Sequence, residues 1–148
     1  MDAAPRAFAE LPTDPDLGVP VPFACGTDDG YGGSAPSARG LDGRRVTQCA
    51  LSRVCGVCGA GLGRPIAFLG SELETGRNAF HFPPAHQECA EAILAAYAEV
   101  RAPVLGQQEV LDRWVLVTTA AFEFVRPTKH DLDRRPTFQP TAVLSEVR

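Results

Sequence analysis

At 148 residues the chain has the length of a single domain with tails. Its 45% hydrophobic and 22% charged residues exclude a wholly disordered polymer. A net charge of −4 and a pI near 5.3 argue against a protein that coats nucleic acid indiscriminately, because that mode needs a basic face, but they leave room for a local basic patch.

The opening Met1-Asp-Ala-Ala-Pro5 has neither a basic nor an apolar leader region, so no signal peptide is read there. No apolar run approaches the roughly 20 residues that span a bilayer, and no membrane partner is expected. Five cysteines, an odd number with three at metal-ligand spacing, fit a reducing compartment. The expectation is a soluble cytoplasmic protein.

Residues 1–44 read as a flexible, Pro/Gly-rich, acidic arm. Pro5, Pro12, Pro15, Pro20, Pro22 and Pro36 interrupt any helix, and Gly26-Thr-Asp-Asp-Gly-Tyr-Gly-Gly-Ser34 has the composition of a linker. Leu17 to Phe23 forms a short apolar patch suited to an extended segment lying on a domain. Cys25 reads as a bystander thiol.

Order is expected from residue 45, giving a zinc-stabilised α+β domain over 45–148. Arg45 to Val54 reads as a strand or a short helical turn, with Cys49 as a buried structural thiol. Cys55-Gly-Val-Cys58-Gly59 has the form of a zinc knuckle, where glycine supplies the positive φ of a tight bend. Pro65 to Leu69 predicts a strand, Ser71 to Gly76 a turn, and Asn78 to Phe82 a second strand. Together they predict a β-hairpin with Phe80 and Phe82 on an aromatic face and His81 exposed on the other.

Pro83-Pro84 predicts the start of a helix running to about Val100. His86, Cys89, Ala90, Ile93, Ala96, Tyr97 and Val100 share one face at helical spacing. Trp114 to Val125 predicts one strand or two, followed by a polar, turn-rich stretch to Pro136. Thr137 to Leu144 predicts a strand that Pro140 confines to a sheet edge.

Cys55, Cys58, His86 and Cys89 are the candidate ligands of one structural Zn²⁺. Two pairs spaced C-x2-C and H-x2-C supply the four soft or borderline donors of a closed tetrahedron. A redox C-x-x-C would open a helix, which Gly59, Gly61, Gly63 and Pro65 oppose. A zinc deaminase or other zinc-dependent hydrolase would use Glu88 beside His86, but a fourth ligand at Cys89 leaves no position for an activated water. A nuclease would need His81 beside an acid and a second helical histidine, and His130 lies in a charged loop.

Knuckle, hairpin and a helix carrying the second ligand pair resemble a treble-clef zinc finger over residues 55–100. The fuller pattern resembles a group of uncharacterised small zinc-binding proteins of actinobacteria and their phages. The residues that carry this likeness are Cys55-Gly-Val-Cys58-Gly59, Pro83-Pro84-Ala-His86-Gln-Glu-Cys89-Ala90 and Trp114-Val-Leu-Val-Thr-Thr. The group carries an aromatic-rich basic ending, from which Ala142 to Arg148 departs. The resemblance implies a stable zinc domain and brings no known activity.

Function therefore points to a non-enzymatic binding module, with nucleic acid ahead of a protein partner or self-association. Arg44, Arg45, Arg53, Arg64 and Arg77 bracket the knuckle and hairpin, with Phe80, Phe82 and Trp114 as candidate stacking surfaces. Arg126, Lys129, Arg134 and Arg135 form a second basic cluster. Clustering of the first five arginines on one face would favour nucleic acid. An exposed apolar patch near Trp114 would favour a protein or a second copy.

Overall fold

In the computed structural model, which describes residues 6–25 and 35–147, the fold is mixed α/β. Its elements in chain order are α1 (Arg6–Ala9), a 3-10 turn (Phe23–Cys25), α2 (Gly43–Ser52), β1 (Ile66–Gly70), α3 (Glu72–Arg77), β2 (Ala85–His86), α4 (Gln87–Ala96), β3 (Val115–Val125) and β4 (Thr137–Val147). The strands form one antiparallel sheet in the order β2-β1-β3-β4.

The near-continuous apolar run Ile66-Ala-Phe-Leu69 places β1 inside the sheet with every residue buried. Because alternate side chains face opposite ways, the strand serves two cores. Ala67 and Leu69 point to a core built with Cys89, Ala90, Ile93 and Tyr97 of α4. Ile66 and Phe68 point to the other, with Val46 of α2, Phe80, Val115, Val117 and Phe138. Phe68 stacks on Phe80 at 5.7 Å and meets Phe122 edge-on at 5.7 Å, so the second core is largely aromatic.

The expected hairpin does not form as read. Its first strand is present, but Ser71 to Arg77 is a helix rather than a turn. Ser71 accepts the Glu74 N–H, and the Glu74 carboxylate accepts the Ser71 N–H, which closes a capping box. Asn78 ends the helix in the left-handed region at φ 55° and reaches the Pro140 carbonyl through its side-chain amide. Residues 78–82 then form no strand beyond an isolated bridge from Phe80 to Phe138, and β1 pairs instead with Ala85 and His86.

Residues 45–54 lie in helix rather than strand over most of their length. Asp42 caps α2 by accepting the Arg44 and Arg45 N–H groups. The predicted helix is shorter than expected, since α4 starts after His86 and ends at Ala96, with Tyr97 as its cap. Cys89, Ala90, Ile93 and Tyr97 are buried as predicted, whereas Ala96 is exposed. β4 is the edge strand, consistent with Pro140, and extends to Val147.

The segment expected to be a flexible arm is, where described, part of the core. Val19, Val21, Ala24 and Ala38 are buried against α4 and the knuckle. Asp14 is 1% exposed and accepts N–H bonds from Asp16, Leu17 and Ala38 at 2.7, 3.0 and 2.9 Å. Those three bonds outweigh the effect of burial and hold its carboxyl below the usual carboxylate range. The linker reading of 26–34 lies outside the described residues.

Candidate metal centre

Cys55-Gly-Val-Cys58-Gly59 bends back on itself: the Gly59 N–H reaches the Cys55 carbonyl at 2.8 Å, and φ +80° at Gly59 turns the chain so that the Ala60 carbonyl accepts the Cys55 N–H at 2.7 Å. A side chain at Gly59 would also press on the Phe23 ring, 3.0 Å from its Cβ position. The 3-10 turn lies along this bend: the Phe23 and Ala24 N–H groups donate to the Val57 and Gly56 carbonyls, each at 2.9 Å. The N-terminal segment thus straps the knuckle onto the domain.

The second pair comes from the junction of β2 and α4. His86 is the last residue of β2 and the N-cap of α4, with extended φ/ψ and no side-chain capping bond. Cys89 sits one turn on, fully buried. Among the described residues, the ligand atoms of Cys55, Cys58, His86 and Cys89 all lie within 4.8 Å of one another, so the four form a group able to hold one metal ion. The two pairs meet because β2 lies beside β1, which follows the knuckle.

Each donor is set for that role. The Cys55 sulfur accepts the N–H groups of Val57, Cys58 and His86 at 3.3, 3.5 and 3.4 Å, a cradle for thiolate charge. His86 Nε2 is 2.8 Å from the Gly61 carbonyl, so it carries the hydrogen and donates it. Nδ1 is left as a lone pair, 3.5 Å from the Cys58 sulfur and 3.7 Å from that of Cys89. Sulfur contacts and burial act on the two knuckle thiols. The bond to Cys55 and then burial push the Cys58 thiol well up. For Cys55 the Cys58 bond acts downward, but the Cys89 bond and burial outweigh it.

Cys49 is buried behind the group and is not a member of it. Burial, and then the neighbouring Cys55, push its thiol up to about 12, which suits the structural role expected for it. Cys25 stands apart too, its sulfur 3.9 Å from the Ala38 carbonyl. Glu88 is exposed at the start of α4.

The five arginines of the nucleic-acid reading lie in different settings. Arg45 lies over Phe23 at 4.6 Å and Arg53 over Phe122 at 5.0 Å. Arg64 borders the metal group beside Glu88 and Glu91, Arg44 is exposed on α2, and Arg77 lines a separate cavity at α3. Phe80 and Phe82 are 1% exposed and cannot stack on bases. Trp114 is half-buried.

His81, expected to be exposed on a strand, is clamped between two carboxylates: Nδ1 lies 2.9 Å from Glu74 and Nε2 3.2 Å from Asp133. Asp133 is also gripped by Arg135 at 3.0 and 2.9 Å, which holds its carboxyl far below the usual range. The capping-box pattern Ser71-x-x-Glu74 signals the placement of Glu74 in the sequence. Nothing local signals Asp133.

Comparison with protein-family models, with curated proteins and with solved structures finds no match for this chain. Among the described residues no helix is long and apolar enough to cross a membrane.

Proposed function

We propose that this chain is a non-enzymatic binding module built on one structural Zn²⁺ in a treble-clef arrangement. The observation that carries it is the convergence of three cysteine sulfurs and the lone pair of His86 within 4.8 Å. A tetrahedral ion with Zn–S of about 2.3 Å and Zn–N of about 2.0–2.1 Å has S···N edges of about 3.6 Å. The two observed S···N distances, 3.5 and 3.7 Å, bracket that value. Four protein donors fill a tetrahedron, so the ion offers no position for water and its contribution is to folding. The treble-clef form is supported by the order knuckle, β1, β2, α4, with α3 inserted between the paired strands.

In its finer form the proposal names nucleic acid as the partner. Its support is no longer the bracket of five arginines. It is the meeting of Arg77 with the second basic cluster, whose Arg126 and Arg135 line the same cavity. The sheet edge offers a protein partner less, because β4 carries a register shift opposite Thr118/Thr119, and Ala142 sits at φ 54°.

The test is elemental analysis of the purified chain, followed by Cys58→Ser and His86→Ala. One zinc per chain, lost in both variants together with a lower melting temperature, is the expected result. Absence of stoichiometric metal in the wild type overturns the reading. Zinc that survives Cys89→Ser with the fold intact moves the site to three ligands and a catalytic water. Salt-dependent binding of an oligonucleotide tests the partner separately.

A further inference from the structure

A cavity of about 450 Å³ opens between α3 and the connection from β3 to β4, away from the metal group. Its volume lies within the roughly 300–1,000 Å³ of small-molecule sites. Its lining carries three guanidiniums, Arg77, Arg126 and Arg135, and three carboxylates, Glu74, Asp131 and Asp133, but these do not all pair with one another. Glu74 is 6% exposed, and its oxygens are taken by the Ser71 N–H, the Gln107 amide, and the backbone and ring of His81. Asp133 is taken by Arg135 and His81. Arg135 is held in turn by this pair and by a bond from its Nη1 to the Gly106 carbonyl.

Two guanidiniums remain. Arg77, at the end of α3, and Arg126, just past β3, have no ion-pair partner among the described residues. Arg126 lies 5.3 Å over the Phe124 ring, a contact with its face that leaves the N–H edge available. The hydroxyl of Thr137 and the amide of Gln139 add donors to the lining. Apolar surface is present as well: Val125 and Pro127 line the cavity, and Leu132 is wholly exposed at its edge. Asp131 is held through one oxygen by the Thr128 N–H and hydroxyl, leaving the other as an acceptor of the kind that takes a sugar hydroxyl. Two planar forks, an apolar shelf and one spare carboxylate oxygen are complementary to a phosphate joined to a sugar and a ring.

We propose that this cavity binds a phosphate ester of mononucleotide size, its phosphate between Arg77 and Arg126 and its body against Val125, Pro127 and Leu132. The inference deepens the nucleic-acid reading and rests on it for the choice of ester. The ester's source is either a free nucleotide or one nucleotide of a single strand.

The experiment titrates the full zinc-loaded chain by calorimetry with inorganic phosphate, a nucleoside 5′-monophosphate and a short single-stranded oligonucleotide. The expected result is binding of the monophosphate or the oligonucleotide, tighter than inorganic phosphate. That binding weakens about tenfold in Arg77→Gln and in Arg126→Lys, as loss of a bidentate contact predicts. Arg126→Lys keeps a cation over Phe124, and Arg77→Lys keeps the helix-end charge, so the lysine variants hold the fold while giving up the fork. Zinc content and melting temperature stay at wild-type values in both. Monophosphate binding without oligonucleotide binding keeps the pocket and sinks the nucleic-acid partner. Oligonucleotide binding that survives every arginine variant keeps that partner and overturns the pocket. Binding of none of the three probes overturns the pocket too, as does equal binding of inorganic phosphate and the ester.

Discussion

Glu74 accepts hydrogen bonds from Ser71, His81 and Gln107, a role only half legible in the sequence. The S-x-x-E spacing encodes its bond to the Ser71 N–H. Its partnership with His81 and Gln107 depends on tertiary approach, which no local pattern carries. Burial alone would raise its pKa, yet the bonds from His81, Ser71 and Gln107 lower it below the usual value. A carboxyl lowered on folding adds stability that is complete above its unfolded pKa, about 4.3, and is lost as pH falls through the folded value. Glu74→Gln should therefore cost about 3 kcal/mol near neutral pH, in the range of a broken buried pair. The gap in melting temperature from the wild type should close as pH falls below about 4. Metal loss in acid affects both proteins and cancels in the difference, so a gap that stays constant with pH refutes the assignment. Asp14 poses the same question at the N-terminal segment. Asp14→Ala strips an acceptor from three N–H groups, one of them across the chain at Ala38. The expected cost is about 2–3 kcal/mol, with faster proteolysis within residues 6–25.

At the scale of elements, the metal pairs were readable because ligand spacing is local: two residues between donors puts both on one turn whatever the surroundings. The Pro-confined edge strand was readable for the same reason, since a missing N–H has one tolerable place in a sheet. α3 was misread because Thr75-Gly76 has turn chemistry, while the stronger signal, Ser71 with Glu74 and Asn78 after the last turn, is a start and stop for a helix. The aromatic alternation of Phe80 and Phe82 looked like a strand and is instead a segment that sends one ring to each core. Ser71→Ala tests how far α3 depends on its box, with an expected loss of about 1 kcal/mol. Because Glu74 then loses its fixed helical position, the variant should also lower the protection of the His81 amide in hydrogen exchange. An unchanged His81 amide would show that the clamp stands without the helix.

For the molecule as a whole, the metal group belongs to one core and not to the other. Cys55 and Cys89 are buried among Val19, Val21, Ala24, Val57 and Ile93, while the core of Phe68, Phe80 and Phe138 contains no ligand. The sequence, read as a flexible arm followed by a zinc-stabilised domain, led to the expectation that the metal contributes directly to folding. The structure distributes that dependence. Besides any ion that the four donors would hold, the knuckle is held by the strap of residues 23–24 and by the Gly56 N–H bonded to the Pro84 carbonyl. β1, β3 and β4 are joined along their lengths and covered by aromatic packing. Metal binding free energy is folding free energy for whichever parts rely on it, and stability differs between parts of a structure. Removal of zinc with a chelator should therefore strip exchange protection first from the Phe23, Ala24, Cys55 and Gly56 amides and the start of α4. The Phe68, Val117 and Phe138 amides should keep theirs, and far-ultraviolet circular dichroism should retain the sheet signal. Simultaneous loss of protection at both sets would mean that the two cores form one cooperative unit sharing β1, and that the ion holds the whole of it.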